Sequence, residues 1–305
     1  MYTLTTNPAI DMNISTDGLR ANSVNRTFGT AYSPNGKGLN VSFVLQYFGF
    51  ESKILGFFGG FSGTFIVEEA KKRGVGVLPV WVEENTRINI FVNDGFEEYK
   101  FVNAGAFVSE ESQMELLEYL TELNDVEYLS ISGSLPPGIG PEYYDKILNI
   151  CKEKGTQVIL DISSPKLKDL LKYKPYLIKP NDEEVEEIFG FHTKNEKEIK
   201  SVLECLYERG AQNILFTLGE RGSYFFNGKD IYYSGIRPVK LLSSACAGDS
   251  ALAAFLSIWL KRPNDIEAAL KLSSAVGANV SESSGIGNLK NVEKYRKEIE
   301  VRKIW

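Results

Sequence analysis

Short apolar runs alternate along the chain with longer segments in which apolar residues recur every three or four positions. The longer segments predict helices. Strands that alternate with helices form parallel sheets joined by right-handed crossovers, so we expect an α/β fold with helices on both faces of a mostly parallel sheet. The predicted strands are residues 2–6, 53–57, 126–132, 157–162, 176–180 and 213–219, and the predicted helices are 63–73, 110–123, 141–154 and 196–208.

Two segments break this rhythm. Residues 11–33 and 86–103 alternate as short strands do, and the second predicts a hairpin that turns at Asn93-Asp94-Gly95. These inserts predict a small β-sheet, a lid, attached to a single domain of residues 1–305. The C-terminal segment 292–305 carries mixed charges and is predicted to be a solvent-exposed helix and tail.

Charge and targeting signals narrow the range of partners. The chain has 305 residues and a formal net charge of -6, so its surface as a whole repels nucleic acid and anionic membranes, and neither is expected as a partner. An anionic substrate would need a local basic cluster. The N-terminus lacks a secretory pattern and no apolar run reaches the roughly 18 residues that span a bilayer, so we expect a cytoplasmic protein.

The glycine clusters do not match the common nucleotide-binding loops. No G-x-G site has the third glycine of a dinucleotide fold, and neither Gly36-Lys37 nor Gly228-Lys229 has the flanking residues of a P-loop. A phosphate group would therefore have to be bound by another device.

One candidate device is the stretch "SSACAGDSALAAF", residues 243–255, which leads into a helix predicted over 249–260. Free amides at the head of a helix can receive negative charge from a phosphoryl group. Asp249 there could accept a proton from an attacking hydroxyl. Taken alone, an Asp at a helix start is more often a cap.

Further stretches place polar side chains after a turn or a strand. In "SPNGKGLN", Asn40 could bind sugar hydroxyls, or the segment could be a plain connection. In "KPNDEE", Asn181 and Glu184 lie one helical turn apart, where the carboxylate could organise metal-bound waters or complement the helix dipole. "SGSLPPG" and "TLGERG" also follow strands, at the edge where open α/β sheets bind ligands.

In this order, "TTNPAID", "NGKGLN", "TRIN", "SGSLPPG", "KPNDEE", "TLGERG" and "ACAGDS" resemble the motifs of the ribokinase-like (phosphofructokinase B-type) carbohydrate kinases, over roughly residues 1–290. "NPAID" and "TRIN" are similar to the branch that acts on sugar phosphates, represented by 1-phosphofructokinase and tagatose-6-phosphate kinase. The resemblance implies a three-layer ribokinase-like fold with a β-sheet lid, and ATP with Mg²⁺ as cofactors. In many members the lid also pairs two subunits, so a homodimer is an expectation.

The resemblance also implies roles for individual residues. Asp249 would be the catalytic base, and the amides of Ala247 and Gly248 would form an anion hole with that of Asp249. The sugar phosphate would be bound by Asp11, Arg26, Asn35, Gly36, Lys37, Asn40, Arg87 and Ser134. The nucleotide would be bound by Lys179, Asn181, Thr217, Gly219, Gly248 and Asn279, with Mg²⁺ near Asn181 and, through water, Glu184.

The activity implied is transfer of the γ-phosphoryl group of ATP to fructose 1-phosphate, with tagatose 6-phosphate or fructose 6-phosphate as alternative substrates. Two residues depart from the family's pattern, because Asn35 and Cys246 stand where glycine is usual. If Cys246 needs a positive φ, the strain is on the order of 1 kcal/mol or more. A distorted anion hole would instead leave a catalytically weak sensor that binds sugar phosphate.

Overall fold

The chain forms two β-sheets and two layers of helices. The computed structural model describes residues 1–243 and 245–305. The strands are β1 (Tyr2–Thr5), β2 (Ala9–Thr16), β3 (Thr27–Asn35), β4 (Lys53–Gly59), β5 (Gly76–Val82), β6 (Arg87–Asn93), β7 (Glu98–Phe101), β8 (Tyr128–Ser132), β9 (Gln157–Asp161), β10 (Leu177–Ile178), β11 (Ile214–Thr217), β12 (Ser223–Phe226), β13 (Ile231–Ser234) and β14 (Val301–Lys303). The helices are α1 (Lys37–Tyr47), α2 (Gly60–Lys72), α3 (Glu110–Glu122), α4 (Tyr143–Lys154), α5 (Leu167–Leu170), α6 (Asp182–Phe189), α7 (Glu196–Glu208), α8 (Ala247–Trp259), α9 (Ile266–Ser281) and α10 (Val292–Arg296).

The large sheet has ten strands in the order β14-β13-β12-β11-β10-β9-β8-β1-β4-β5. From β11 to β5 neighbouring strands are parallel, while β12, β13 and β14 add an antiparallel edge. The N-terminal strand β1 lies inside the sheet, where Tyr2 pairs with Lys53 on one side and with Leu129 on the other. The carboxyl ends of the parallel strands therefore meet along one edge.

Helices cover both faces because successive residues of the central strands are apolar, so both faces of the sheet need to be buried. On β4, Leu55 and Phe57 join the cluster formed with α3 to α7, while Ile54 and Phe58 face α1 and α2. The helices α8, α9 and α10 pack on that second face together with α1. This confirms the predicted three-layer α/β fold. Among the residues that the structure describes, no helix is long and apolar enough to span a bilayer.

The second sheet has four strands in the order β3-β2-β6-β7, and these strands come from the two inserts predicted to form a lid. The β6–β7 turn falls at the predicted Asn-Asp-Gly site, where the Asp94 carboxylate accepts the amides of Phe96 and Glu97. Strand β2 continues directly from the end of β1 by way of Asn7 and Pro8. The small sheet is thereby anchored beside the carboxyl edge of the large one.

The C-terminal segment differs from its prediction as a solvated helix and tail. Val292, Tyr295 and Ile299 are buried against α9, and β14 completes the antiparallel edge of the large sheet. The charged residues of this segment lie outward. They outnumber the apolar residues, so the helical spacing of three and four between the apolar positions was not recognised. Strand β5 was not predicted, because Gly76 and Pro79 interrupt its apolar pattern.

We expect Ile299→Ala to lower the free energy of unfolding by about 2–4 kcal/mol, because the side chain is fully enclosed at the end of the chain. Urea unfolding followed by circular dichroism measures this loss. The neighbouring Lys297 is exposed, so Lys297→Ala should change stability by less than about 0.5 kcal/mol. Equal, small effects of the two substitutions would contradict the packed C-terminal segment.

Candidate active site

A polar cavity of about 390 Å³ opens at the carboxyl edge of the parallel strands, between the large sheet, the lid and the head of α8. Such an edge is where open α/β sheets bind ligands. Ten of the predicted site residues, the proposed base among them, line this cavity. They are Asn35, Gly36, Lys37, Arg87, Lys179, Asn181, Glu184, Thr217, Gly248 and Asp249.

Asp249 is the third residue of α8 and not its cap. The N-cap is Cys246, and the first intrahelical bond runs from the Ser250 amide to the Cys246 carbonyl, 2.9 Å. The buried Asp249 carboxylate instead accepts Asn40 Nδ2 of α1 at 3.0 Å. Burial, together with the Asp161 carboxylate, raises the pKa of Asp249. A buried, desolvated carboxylate at a helix head is suited to accept a proton.

Cys246 has the positive φ that a glycine at this position would adopt easily. Its φ is 64°, in the left-handed region that costs a non-glycine residue on the order of 1 kcal/mol. The helix nevertheless starts regularly after it. Burial, followed by the charge of Asp249, raises the pKa of the Cys246 thiol to about 12, so the thiol stays neutral.

Two lysines converge on a buried carboxylate that the motif comparison did not identify. Asp161, at the end of β9, accepts Lys179 Nζ at 3.1 Å and Lys37 Nζ at 3.5 Å. Burial alone would raise the pKa of Asp161, but the two ammonium groups outweigh it and hold the pKa below its ordinary value. Its Oδ2 has no partner among the described residues. The signal in the sequence was an Asp that ends the apolar run "QVILD".

The lysines also border the helix head. A Cβ placed on Gly248 would lie 3.5 Å from Lys179 Nζ, so the ammonium group adjoins the first turn of α8. Burial alone would lower the pKa of Lys37, but Asp161 and Asp249 raise it above its ordinary value, which keeps the ammonium charged. Helix dipole and lysines therefore concentrate positive potential at one place.

Asn181 and Glu184 form the capping box of α6. Glu184 N donates to Asn181 Oδ1 at 2.7 Å, and Asn181 N donates to Glu184 Oε2 at 3.0 Å. The other Glu184 oxygen accepts Ser163 Oγ. Because the Asn181 side-chain oxygen is used as the cap, its free group is an N–H donor, which suits a phosphate oxygen better than a metal ion. The expectation of Mg²⁺ near Asn181 stays a prediction.

A continuous row of hydrogen-bonded side chains, the hydrogen-bonded wall, lies on the lid side of the cavity. It starts at Asp249, passes through Asn40 to Asn35 Oδ1 at 2.8 Å, and continues from Asn35 Nδ2 to Asp11. Asn89 Nδ2 then donates to Asp11 Oδ1 at 2.9 Å. Asn89 is the last letter of "TRIN" and was overlooked as a functional residue. The chain connects the base of the lid to the helix head.

Arg87 lies at the far end of this wall, where its charge acts on Asp11. Its Nη1 and Nη2 donate to the backbone oxygens of Asn103 and Asn7, at 2.8 and 3.0 Å, and its Nε is buried without a partner among the described residues. Ser134 is close by, because its Oγ accepts Asn7 Nδ2 at 3.5 Å. An unpaired guanidinium N–H is a suitable donor for a phosphate group.

Seven predicted site residues do not line the cavity. Four of them, Asp11, Asn40, Ser134 and Ala247, belong to the surroundings described above, and the other three are Arg26, Asn279 and Gly219. Arg26 is exposed next to Thr27, at the opposite end of the lid strands from Ala9, because β2 carries it away from the sheet edge. Asn279 is buried on α9, and its side-chain oxygen accepts the Asn291 amide at 3.3 Å. Gly219 has a φ of 54° and open space around it, two residues beyond the lining Thr217.

The departure from glycine at Asn35 causes no backbone strain. Asn35 is the extended last residue of β3, paired with Ala9, so no left-handed backbone has to be tolerated there. Gly36, with a φ of 148°, makes the turn into α1, and a Cβ on it would lie 2.8 Å from the Thr5 side chain. The unusual feature at Asn35 is therefore its side chain, which enters the hydrogen-bonded wall.

A buried carboxylate at a helix head, flanked by two lysines at the carboxyl edge of a parallel sheet, is the arrangement of an enzyme that transfers a phosphoryl group. Residues 5–292 match the sequence model of the pfkB family carbohydrate kinases, and the chain belongs to this family. The family resemblance inferred from the motifs is confirmed, and the chain is a carbohydrate kinase.

Relatives and solved structures agree with this assignment over the full length. The chain is 46% identical to a D-tagatose-1-phosphate kinase of Klebsiella oxytoca, over 99% of each chain. It is 30% identical to a 1-phosphofructokinase of Bacillus subtilis, over 100% of each. The crystal structure of phosphofructokinase-2 from Escherichia coli in complex with substrates and products has a TM-score of 0.90 and 25% identity, with 98% of each chain covered.

The raised pKa of Asp249 predicts a gain in stability on Asp249→Asn. A folded-state pKa above the unfolded value means that the ionised carboxylate costs stability at neutral pH, and that this cost disappears as pH falls below the unfolded pKa of about 4. The variant should therefore melt at a higher temperature than the wild type at pH 7, with the difference shrinking towards pH 4. Calorimetry across this range, with the exposed Asp17→Asn as control, measures it. A variant that melts lower at pH 7 would contradict the direction of the shift.

Proposed function

We propose that this chain transfers the γ-phosphoryl group of ATP to the C6 hydroxyl of a ketohexose 1-phosphate. The supporting observation is that cationic groups lie at both ends of one hydrogen-bonded wall, Arg87 beside Asp11 and the Lys37–Lys179 pair beside Asp249. A substrate that already carries a phosphate at Arg87 would present its far hydroxyl to Asp249. The phosphate being transferred would meet the lysines.

D-Tagatose 1-phosphate is the first candidate substrate, because the relative at 46% identity bears that name. D-Fructose 1-phosphate, the expectation from the motifs, is the second candidate and is favoured by the relative named 1-phosphofructokinase. D-Tagatose 6-phosphate and D-fructose 6-phosphate are the alternative substrates, against which the two 1-phosphates are tested. Both candidates are ketoses with the phosphate on C1 and a free C6 hydroxyl. Each would therefore place its phosphate at Arg87 and its C6 hydroxyl at Asp249.

Asp249 is the general base in this proposal. As the C6 oxygen bonds to the γ-phosphorus, its proton passes to the Asp249 carboxylate, and the bond from phosphorus to the oxygen of ADP breaks. Asn40 holds Oδ2, and we assign Oδ1 to the substrate hydroxyl. The raised pKa brings the carboxylate closer to the operating pH, which improves proton transfer.

The anion hole in this proposal is the first turn of α8. The amides of Ala247, Gly248 and Asp249 precede the first intrahelical bond, and their N–H groups would donate to the equatorial oxygens of the transferring group. Lys179 and Lys37 add full positive charge at the same place. The regular start of α8 at Cys246 argues against a sensor with a spoiled anion hole.

The side chains fit ATP with Mg²⁺. Among the residues that the structure describes, no three acidic, Cys or His side chains come close enough to cage a metal ion, which fits an ion held mainly by phosphates and water. Asp161 Oδ2 is a buried acceptor with no partner in the described chain, and Glu184, in the cavity lining, would bind Mg²⁺ through water. Bound Mg²⁺ would neutralise charge on the ATP phosphates. Thr217, Asn181 and Lys179 would position the nucleotide.

The proposed reaction predicts activity with a ketose phosphate panel and its loss in Asp249→Asn. ADP release should be fast with D-tagatose 1-phosphate or D-fructose 1-phosphate and slow with the 6-phosphates of either sugar. Asp249→Asn should lower kcat at least about 100-fold, because the base is lost, while the dissociation constant for the sugar phosphate stays within a few-fold. A coupled ADP assay and calorimetric titration measure the two quantities.

Two outcomes would overturn this proposal. Near-normal turnover by Asp249→Asn would exclude Asp249 as the base. Tight binding of a ketose phosphate by the wild type without ADP release from any member of the panel would favour the sensor.

We also propose that residues 1–305 act as one domain whose lid closes over the sugar and pairs with the lid of a second copy. Across the strands of the lid, the register places Tyr32, Met12, Ile90 and Phe101 side by side in one row. Tyr32 and Phe101 are more than half exposed. Residues aligned across strands share a face, so the row forms an apolar stripe that a second lid would cover. The role of Arg26 stays a prediction, since the residue is exposed on this lid.

We expect the wild type to sediment as a dimer and Tyr32→Asp to sediment as a monomer, because a charge at one end of the stripe would have to be buried without a partner. Analytical ultracentrifugation at micromolar concentration distinguishes the two. The control is Tyr47→Asp, which changes a similarly exposed tyrosine at the end of α1, outside the lid. A monomeric wild type, or a dimer that Tyr32→Asp leaves intact, would contradict pairing through the lid.

A further inference from the structure

Asn35 lies in the middle of the hydrogen-bonded wall. On one side its Nδ2 donates to Asp11, which neighbours Arg87. On the other side its Oδ1 accepts Asn40 Nδ2, and the same Asn40 nitrogen donates to Asp249. A ligand that reaches from Arg87 to Asp249 therefore has its middle opposite Asn35.

The orientation of the Asn35 carboxamide is determined by its neighbours. Oδ1 faces three donors, which are the Gly36 amide at 2.7 Å, Asn40 Nδ2 at 2.8 Å and the Cys246 thiol at 3.8 Å. A flipped amide would place its NH₂ group against these donors and its oxygen against the Asp11 carboxylate. One N–H is committed to Asp11, so the second N–H is the hydrogen-bonding capacity that Asn35 has left for a ligand.

Cys246 holds the amide from the opposite wall of the cavity. Its side chain comes from the turn before α8, 211 residues further along the chain, and contacts the Asn35 oxygen. The residue keeps a side chain at a φ of 64°, where glycine would be unstrained. A strained residue at a site favours a functional reason for the side chain.

We infer that Asn35, held in place by Cys246, determines which ketose phosphate the enzyme accepts, by donating its one free N–H to a hydroxyl in the middle of the sugar. The inference rests on the proposed function, which places the C1 phosphate at Arg87 and the C6 hydroxyl at Asp249. The hydroxyls of C3 and C4 then face Asn35. D-Tagatose and D-fructose differ only in the direction of the C4 hydroxyl, so one directional donor can distinguish them.

The test compares kcat/KM for D-tagatose 1-phosphate with kcat/KM for D-fructose 1-phosphate. Asn35→Gly should move the ratio of the two values towards one by about tenfold or more, because the directional donor is lost, whatever happens to the absolute rates. The KM for ATP should change much less. Asn124→Gly, in an exposed turn before β8 and remote from the cavity, is the matched control and should leave the ratio unchanged.

Cys246→Gly tests the second half of the inference. Glycine adopts a φ of 64° without strain, so the melting temperature should stay the same or rise. The ratio of kcat/KM values should nevertheless move in the same direction as in Asn35→Gly, by a smaller factor, because the amide remains but loses the contact with Cys246. An unchanged ratio in Cys246→Gly would remove Cys246 from the inference.

The failure of the inference can be told from the failure of the proposed function. If the wild type phosphorylates neither ketose 1-phosphate, the proposed function fails and the inference fails with it. If the wild type is active but the ratio in folded Asn35→Gly stays within about threefold of the wild-type value, the inference alone is wrong. Should Asn35→Gly not fold, as judged by circular dichroism, Asn35→Ser is read by the same criterion.

Discussion

The buried carboxylate of Asp161 is the centre on which the arrangement of the site depends. Its two ion pairs join the start of α1, through Lys37, to the end of β10, through Lys179. A buried ion pair adds little net stability, yet removal of one partner typically costs about 3–5 kcal/mol, because a desolvated charge is left behind. Here a single carboxylate compensates two ammonium groups. The Asp161 side chain therefore fixes the relative positions of α1, β9 and β10. The same two ammonium groups supply the positive potential beside Asp249.

The hydrogen-bonded wall links this charge centre to the lid. Asn40 contacts the Asp249 carboxylate, and the wall ends at Asn89, whose Oδ1 accepts the Asn103 amide after β7. The lid strands thus begin at side chains that are already part of the site. The base of the lid is therefore connected to the Asp249 carboxylate through hydrogen bonds between side chains. Amides serve this purpose well, since each can donate and accept at once.

Much of the fold could be predicted from the sequence because it depends on local patterns. Helices such as α3 and α7 show three- and four-residue spacing and end within one residue of prediction. Strand β5 was missed because its proline and glycine weaken the pattern, and the C-terminal segment was misjudged because its charges outnumber its apolar residues. Burial of Ile299 depends on a partner, α9, that local spacing does not reveal.

The candidate site could be predicted only through the combination of its motifs. Asp249 alone reads as a cap, and its contact with Asn40 spans 209 residues, which no local pattern encodes. Asp161 was missed because one acidic residue at the end of an apolar strand is a weak signal. The meeting of Asn35 and Cys246 likewise depends on tertiary structure, since each looked like an isolated departure from glycine.

The central place of β1 has a consequence for how the chain is made. Strand β1 pairs on one side with β4, but its other neighbour, β8, is synthesised more than a hundred residues after β1, since Tyr2 pairs with Leu129. Until then a parallel strand edge of the nascent chain is open. Pairings this distant in sequence form slowly and expose such edges to aggregation. The topology that brings the site together at one sheet edge is therefore also the one that leaves a strand edge exposed while the chain is synthesised.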